Sequence, residues 1–288
     1  MNDYTIIRCP VCKGELKVSE ELHCISCNVS YPIQDGIPIM VPDLKSVDTE
    51  QDLAVEKDFY EDMFSDIKGY EDGHCIVYGQ EKIYEFMERY DRGTILEAGC
   101  GGGQHSINLT KRGFNVTSVD ISMNGLRAAK GLAEHKGQEV LFINGDIKRL
   151  PFADKQFDIC FCSLILHHFM GLDNIVSELC RVTSKVFVAY EVNAYDLLSY
   201  LRFNILNPVI GVKNIVQNQR ALFPPALSKV LEQNGFQDID IMYDDVHDYF
   251  GKAPDSAKAK LVLTYQRLMK MFPEKYSKNK FLLSAKQL

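Results

Sequence analysis

Two clusters in this chain have residue types and spacings that can do chemistry. The first is Thr94-Ile95-Leu96-Glu97-Ala98-Gly99-Cys100-Gly101-Gly102-Gly103, an apolar strand that ends in an acid and then a glycine-rich turn. Glycine has no Cβ, so such a turn lets an adenosine-containing cofactor lie directly against the backbone. Asp120 stands twenty-one residues after Gly99, at the end of a second apolar strand from Asn115 to Val119. There its carboxylate can accept hydrogen bonds from a ribose diol. The second cluster is Cys9-Pro10-Val11-Cys12 followed, eleven residues later, by Cys24-Ile25-Ser26-Cys27. Paired Cys-x-x-Cys knuckles put four thiolates at the corners of a tetrahedron, which is how structural zinc is held.

The spacing of the glycines selects the cofactor. A dinucleotide fingerprint wants G-x-G-x-x-G, but here Gln104 occupies the place of the third dinucleotide glycine. Glu97 would repel a pyrophosphate and suits the ammonium of a methionine moiety. The block resembles motif I of class I S-adenosylmethionine (SAM) dependent methyltransferases, of the type 11-like group, with Asp120 at the family's ribose-binding acid. Further positions match in order. After a third strand, Val140 to Ile143, Asn144-Gly145-Asp146-Ile147 looks like the loop whose acid accepts from the adenine amino group. Then Leu150-Pro151-Phe152 and Phe157-Asp158 lead through a fourth strand into Ser163-Leu164-Ile165-Leu166-His167-His168-Phe169.

The resemblance implies a cofactor set of Glu97, Gly99, Cys100, Gly101, Gly103, His105, Asp120, Ile121, Asp146, Ile147 and Ser163. Ile121 and Ile147 serve as apolar walls for the adenine ring, and His105, opening the helix after the turn, lines the methionine end. Each has a plainer reading. Asp120 suits a helix cap before Ser122, and Asp146 suits an Asn-Gly-Asp turn. His167 and His168 have the side chain most easily poised for proton transfer near neutrality, against the alternative that one packs under the cofactor and the other faces solvent. With Glu191 they form the catalytic candidates.

The stretch between the knuckles is too short to build its own core, so metal ligation would supply much of its folding free energy. Val29 to Met40 reads as a hairpin with Asp35-Gly36 at its turn, and Gly14 supplies a tight turn after the first knuckle. This segment resembles the zinc ribbon of the Trm112-like family, which occurs alone as a methyltransferase activator and fused ahead of methyltransferase domains. Four thiolates close the coordination shell, leaving zinc no catalytic task. Cysteines 75, 100, 160, 162 and 180 read as small core or loop residues.

Composition bounds the rest. The chain has 288 residues, enough for one catalytic domain and a small appendage, and its formal net charge of −7 argues against a broad nucleic-acid surface. Hydrophobic residues at 46% and charged residues at 25% describe a globular protein. A short polar start and the lack of an eighteen-residue apolar run lead to the expectation of a cytoplasmic protein without a signal peptide or spanning helix.

The expected fold is α/β: a Rossmann-like class I methyltransferase sheet, mostly parallel with an antiparallel last strand, behind a small N-terminal zinc-ribbon domain. The expected division is 1–42 zinc ribbon, 43–90 linker and leading helices, and 91–288 methyltransferase domain with helical inserts near 195–223 and 246–276. Ile83, Phe86, Met87 and Tyr90 recur at helical spacing before the sheet, and Tyr60, Tyr70 and Tyr78 are placed to line the cofactor mouth or pack. Strands are expected near 94, 115, 140, 158 and 186, then Asp238 to Tyr243 and Phe281 to Ala285, with helices near 104, 123 and 173 and from Ala226 to Gln233. The 195–223 insert, with Leu197, Leu201, Ile205 and Val209, is a lid in this reading. Its alternatives are a membrane-touching surface, a subunit interface or plain packing on the domain. Glu191 and Asn193 end the fifth strand on the substrate side.

The reaction implied is in-line methyl transfer to a small-molecule or lipid- or sugar-linked acceptor. The alternatives are RNA-base methylation, a nicotinamide oxidoreductase, and a non-catalytic SAM-binding adaptor that uses its ribbon to hold a partner. The oligomeric state and acceptor atom stay open.

Overall fold

The computed structural model describes residues 3–41, 61, 80–169, 171–206, 220–244, 273–278 and 280–287. Two sheets organise them. The first is antiparallel, with β1 (Leu16–Val18), β2 (Glu21–Cys24), β3 (Val29–Gln34) and β4 (Ile37–Pro38) in that order. The expected turn between β3 and β4 forms at Asp35 and Gly36, with φ of 55° and 72°, the left-handed pair that a two-residue hairpin of this twist requires. Gly14 is not the residue that turns the first knuckle. Lys13 takes φ 60°, and Asn28 takes φ 52° at the matching place after the second knuckle. Gly14 instead leaves room for a knuckle thiol, since a Cβ there would lie 3.2 Å from Cys12 Sγ.

The second sheet has seven strands in the order β10-β11-β9-β8-β5-β6-β7. They are β5 (Thr94–Ala98), β6 (Asn115–Asp120), β7 (Leu141–Asn144), β8 (Phe157–Ser163), β9 (Thr183–Val192), β10 (Phe236–Asp244) and β11 (Lys280–Gln287). The pairs among β5 to β9 are parallel, and β11 runs antiparallel between β9 and β10. Every expected strand forms. Along β5, Ile95 faces one apolar cluster while Leu96 and Ala98 belong to another, so helices must cover both faces.

Those helices are α1 (Gln80–Met87), α2 (Gln104–Lys111), α3 (Met123–His135), α4 (Leu172–Val182), α5 (Leu197–Tyr200), α6 (Pro224–Gln233) and α7 (Glu274–Ser277). In α1, Ile83, Phe86 and Met87 are buried as their spacing predicted. Helix α6 starts two residues before the expected Ala226, because proline fits the first helical turn, where its missing N–H has no partner to lose. Of the expected lid, 195–206 and 220–223 are described: α5 continues into a π-helical turn, Leu201–Leu206. Tyr60, Tyr70, Tyr78, Cys75, Val209, the linker start at 43–60 and most of the insert expected near 246–276 lie outside the described residues. No helix among the described residues is long and apolar enough to cross a membrane.

The two sheets share one core. Ile7, Leu22, Tyr31 and Met40 of the ribbon join the apolar cluster that contains Ile143, Leu150 and Phe152. Ile39 pairs in parallel with Asn144 on β7, and Met40 N donates to Asn144 O at 2.7 Å. β7 is the outer strand of the large sheet, so the ribbon occupies an edge that would otherwise present unpaired backbone groups. Arg8 N on Pro151 O, Gln156 on Ile6 O and Lys13 between Leu150 O and Glu178 complete the seam.

Candidate functional site

Parallel register brings the carboxyl ends of β5, β6, β7, β8 and β9 into one row: Ala98 pairs with Val119 and Cys162, Asp120 with Asn144, and Ser163 with Tyr190. Ligands in open α/β sheets bind outside that row. A separate cleft bounded by Thr94, Asn115, Glu139 and Gln156 opens at the opposite, amino ends of the strands and holds none of the expected site residues.

The glycine turn is built as its sequence requires. Gly99, Gly101 and Gly103 take φ of 76°, 50° and 75°. A Cβ on Gly99 would sit 2.8 Å from Ile165, and one on Gly103 would sit 2.6 Å from Ala129, so backbone conformation and close packing both demand glycine there. Asp120, 9% exposed, crosses the gap between strand tips: its carboxylate accepts from Gly101 N at 2.7 Å and Ser122 N at 2.9 Å. The helix-capping role falls to Ser122, which accepts from Gly125 N at 3.0 Å, so Asp120 is not the cap. Burial raises the Asp120 pKa, against the pull of the backbone donors at Ser122 and Gly101.

Glu97 lies beneath this turn, 1% exposed, taking the hydroxyls of Ser106 and Ser118. Burial pushes its pKa up to about 8. His105 stands between Tyr84 and Phe161, with Nδ1 3.1 Å from the Tyr84 hydroxyl, and burial lowers its pKa to about 4. Cys100 is buried against Ile107, Leu126 and Phe142. On the neighbouring tip Asp146 is half-buried and accepts from Lys148 N at 2.9 Å. Ile147 is buried and Ile121 partly open.

Two residues that the sequence reading passed over tie these loops together. Asn144 Nδ2 donates to both Asp120 O and Ile121 O, at 3.1 and 2.8 Å. Glu61 caps α3, accepting from Met123 N and Asn124 N at 2.9 Å each. Asn144 had a signal in Asn-Gly-Asp. Glu61, from a distant segment, had none.

The third constellation follows β8. Glu191, fully buried at the end of β9, accepts from Ile165 N at 2.9 Å and Leu166 N at 2.6 Å, and its other oxygen lies 2.8 Å from His167 Nδ1. A carboxylate beside Nδ1 makes that nitrogen the donor and Nε2 the ring's basic atom. His168 packs 4.2 Å from the His167 ring, and burial with that neighbour keeps its pKa well below the ordinary histidine value. Because Ile165 abuts Gly99, this loop also sits on the glycine turn. Ser163 is half-buried two residues earlier. Asn193 is not turned to a substrate: its amide is spent on backbone of Lys275, Lys278 and Tyr195.

In the ribbon, the sulfurs of Cys9, Cys12, Cys24 and Cys27 lie within 4.8 Å of one another. Cys12 and Cys24 are 3.5 Å apart, and Cys9 and Cys27 are 3.9 Å apart. Tetrahedral zinc with thiolates at ~2.3 Å requires sulfur separations of about 3.8 Å, so the donor set fits that ion.

Comparison with known proteins agrees with both halves. Residues 96–186 match the family described as methyltransferase domain, and residues 4–36 match Trm112p-like protein. The ubiquinone biosynthesis O-methyltransferase of Rickettsia canadensis is 23% identical over 173 residues, 57% of this chain and 73% of that protein. The malonyl-[acyl-carrier protein] O-methyltransferase of Pectobacterium atrosepticum is 33% identical over 103 residues, 36% of this chain and 39% of that protein. The chain therefore spans well under half the length of this second relative. The fold is shared with magnesium protoporphyrin IX methyltransferase of Synechocystis, solved with bound SAH, at a TM-score of 0.56 and 15% identity, covering 83% of this chain and 100% of that one.

Proposed function

We propose, from the premise that this chain joins a methyltransferase domain to a Trm112p-like ribbon, that it transfers a methyl group from SAM to an oxygen of a small-molecule acceptor. The observation that carries this reading is the convergence of three groups on one row of strand tips: the left-handed glycine turn, the Asp120 carboxylate and the His167–Glu191 pair. The relatives it resembles are named as O-methyltransferases, which supports oxygen as the acceptor atom.

SAM supplies a methyl already activated on a sulfonium, so the protein's work is binding, alignment and exclusion of water. Well-oriented reactants gain on the order of 7 to 11 kcal/mol from alignment alone. Gly99, Gly101 and Gly103 leave the backbone open to the nucleoside, with Asp120 for the ribose hydroxyls, Ile121 and Ile147 for the adenine faces and Asp146 for its amino group. Glu97 and His105 line the methionine end from beneath, through Ser106 and Tyr84. Glu191 cannot reach a substrate, because its oxygens already hold two backbone N–H groups and His167. Its part is to fix the His167 tautomer, so that Nε2 takes the proton from an acceptor hydroxyl. His168, kept neutral, packs behind it. The four ribbon cysteines hold a structural zinc.

Calorimetry should find SAM binding and no NAD binding, and a radiolabelled methyl donor with fractionated extract should yield a labelled small molecule. NAD in place of SAM sinks the cofactor assignment. Label appearing only in RNA or protein sinks the acceptor class.

A further inference from the structure

We propose that Lys275, with the phenols of Tyr195, Tyr243 and Tyr276, binds a carboxylate or phosphate on the acceptor, at a point separate from the atom that is methylated. This rests on the transferase reading above and names the class of its substrate. The starting observation is Asn193, a fully buried side chain two residues past Glu191. Its Nδ2 donates to Lys275 O at 2.8 Å and Lys278 O at 2.7 Å, and its Oδ1 accepts from Tyr195 N at 3.0 Å. One amide thus fastens α7, at the end of the second insert, and the start of the first insert to the tip of β9. A fully committed buried amide makes this junction a built feature of the acceptor side.

What the junction presents is a cation on an aromatic bed. The Lys275 ammonium lies 4.7 Å from the Tyr276 ring centre and 5.6 Å from that of Tyr195, and Tyr195 packs edge-on against Tyr276 at 5.7 Å and Phe223 at 5.3 Å. Tyr276 and Phe223 stay 37% and 40% exposed, so the bed is open. Tyr243, on β10, is near enough to feel Tyr195, Lys275 and Tyr276 electrostatically. No Asp or Glu among the described residues pairs with this ammonium, although Lys13, Lys82, Lys130 and Lys185 all have such partners. An ammonium over two tyrosine rings, with no acidic partner among the described residues, is a group that an anion completes.

The placement relative to the reacting end also fits. Arg220 N donates to His167 O at 2.7 Å, and Phe223, touching Tyr195, is three residues further along the chain. Three residues reach at most about 10 Å, so Phe223 stands no further than that along the chain from the residue hydrogen-bonded to His167.

The test uses the full chain with its SAM. Extract is labelled with radioactive methyl donor and the product run on an anion exchanger; then wild type, Lys275→Met and Lys275→Arg are compared with the purified labelled fraction as acceptor. Methionine keeps the apolar stem over the rings and removes only the charge. The expected result is a product retained as an anion, with KM raised about ten- to hundredfold in Lys275→Met, largely restored in Lys275→Arg, and SAM affinity unchanged. Phosphatase release of the retained product identifies phosphate; retention that survives phosphatase identifies carboxylate. A neutral or cationic product, or an unaltered KM in Lys275→Met, overturns this inference and leaves the transferase reading standing. A wild type that binds SAM and labels nothing overturns both.

Discussion

The cofactor half and the acceptor half of the strand-tip row are built on different principles. On β5, β6 and β7 the working groups are backbone and short carboxylates lying within a few residues of a strand end: Gly99, Gly101, Gly103, Asp120 and Asp146. On β8, β9 and α7 each working group is completed by a residue far along the chain: His167 by Glu191, and Tyr195 with Lys275 through Asn193. In the reading proposed above, the first half recognises one fixed nucleoside, for which a rigid local loop suffices. The second is assembled from inserts, so its chemistry can change while the sheet stays the same.

The contrast predicts which changes stay on which side. The largest effect should come from the ribbon, which is seated on the cofactor half. Stripping zinc, or Cys12→Ser, removes a contribution of about 10 to 16 kcal/mol in apparent terms. Metal analysis should fall from one zinc per chain to none, and amide protection should vanish in β1 to β3 while β8 and β9 keep theirs. Loss of protection throughout would mean that the two halves fold only together with the ribbon.

Next is Gly103→Ala, which adds a Cβ 2.6 Å from Ala129 at φ 75°. Left-handed strain and overpacking together should cost about 2 to 5 kcal/mol, read by denaturant unfolding. Asp120→Ala follows, with SAM affinity falling by about 1.5 to 3 kcal/mol in calorimetry and the unfolding midpoint also lowered, because Gly101 N and Ser122 N lose their acceptor. If Glu191→Gln weakened SAM as much as Asp120→Ala, the division into halves would be wrong. Its expected signature is a lower kcat and an altered pH profile at unchanged SAM affinity.

The last effect is a pH dependence. Burial raises Glu97 from 4.5 to about 8, so the folded state holds a proton that the unfolded chain has released. Its contribution to stability is full below the unfolded value and is lost as pH rises toward and through about 8. Thermal unfolding of the cofactor-free protein should therefore ease between pH 5 and 8, and Glu97→Gln should flatten that slope.

Much of this was legible in the sequence because it depends on short range. Short apolar runs marked the strands of the large sheet, the glycine turn named itself by spacing, and two Cys-x-x-Cys pairs announced a tetrahedral site. Asp120 was placed at its strand tip, although its capping alternative was excluded only when Ser122 was seen to cap α3. Less legible was Glu97, whose partners Ser106 and Ser118 come from an adjoining helix and strand. The first knuckle's turn was misassigned to Gly14, because a lysine at positive φ leaves no compositional trace.

By itself, the order of residues determined the strand sequence, the glycine turn and the two cysteine knuckles, since each follows from local conformational preference or fixed spacing. Only tertiary structure decided that the ribbon seals the β7 edge through Ile39 and Met40, that Glu191 turns its carboxylate onto the loop before His167, and that Asn193 gathers two inserts around the Lys275 ammonium. Those contacts join residues tens of positions apart. They exist because packing a buried polar group requires a partner from whichever segment the fold brings near.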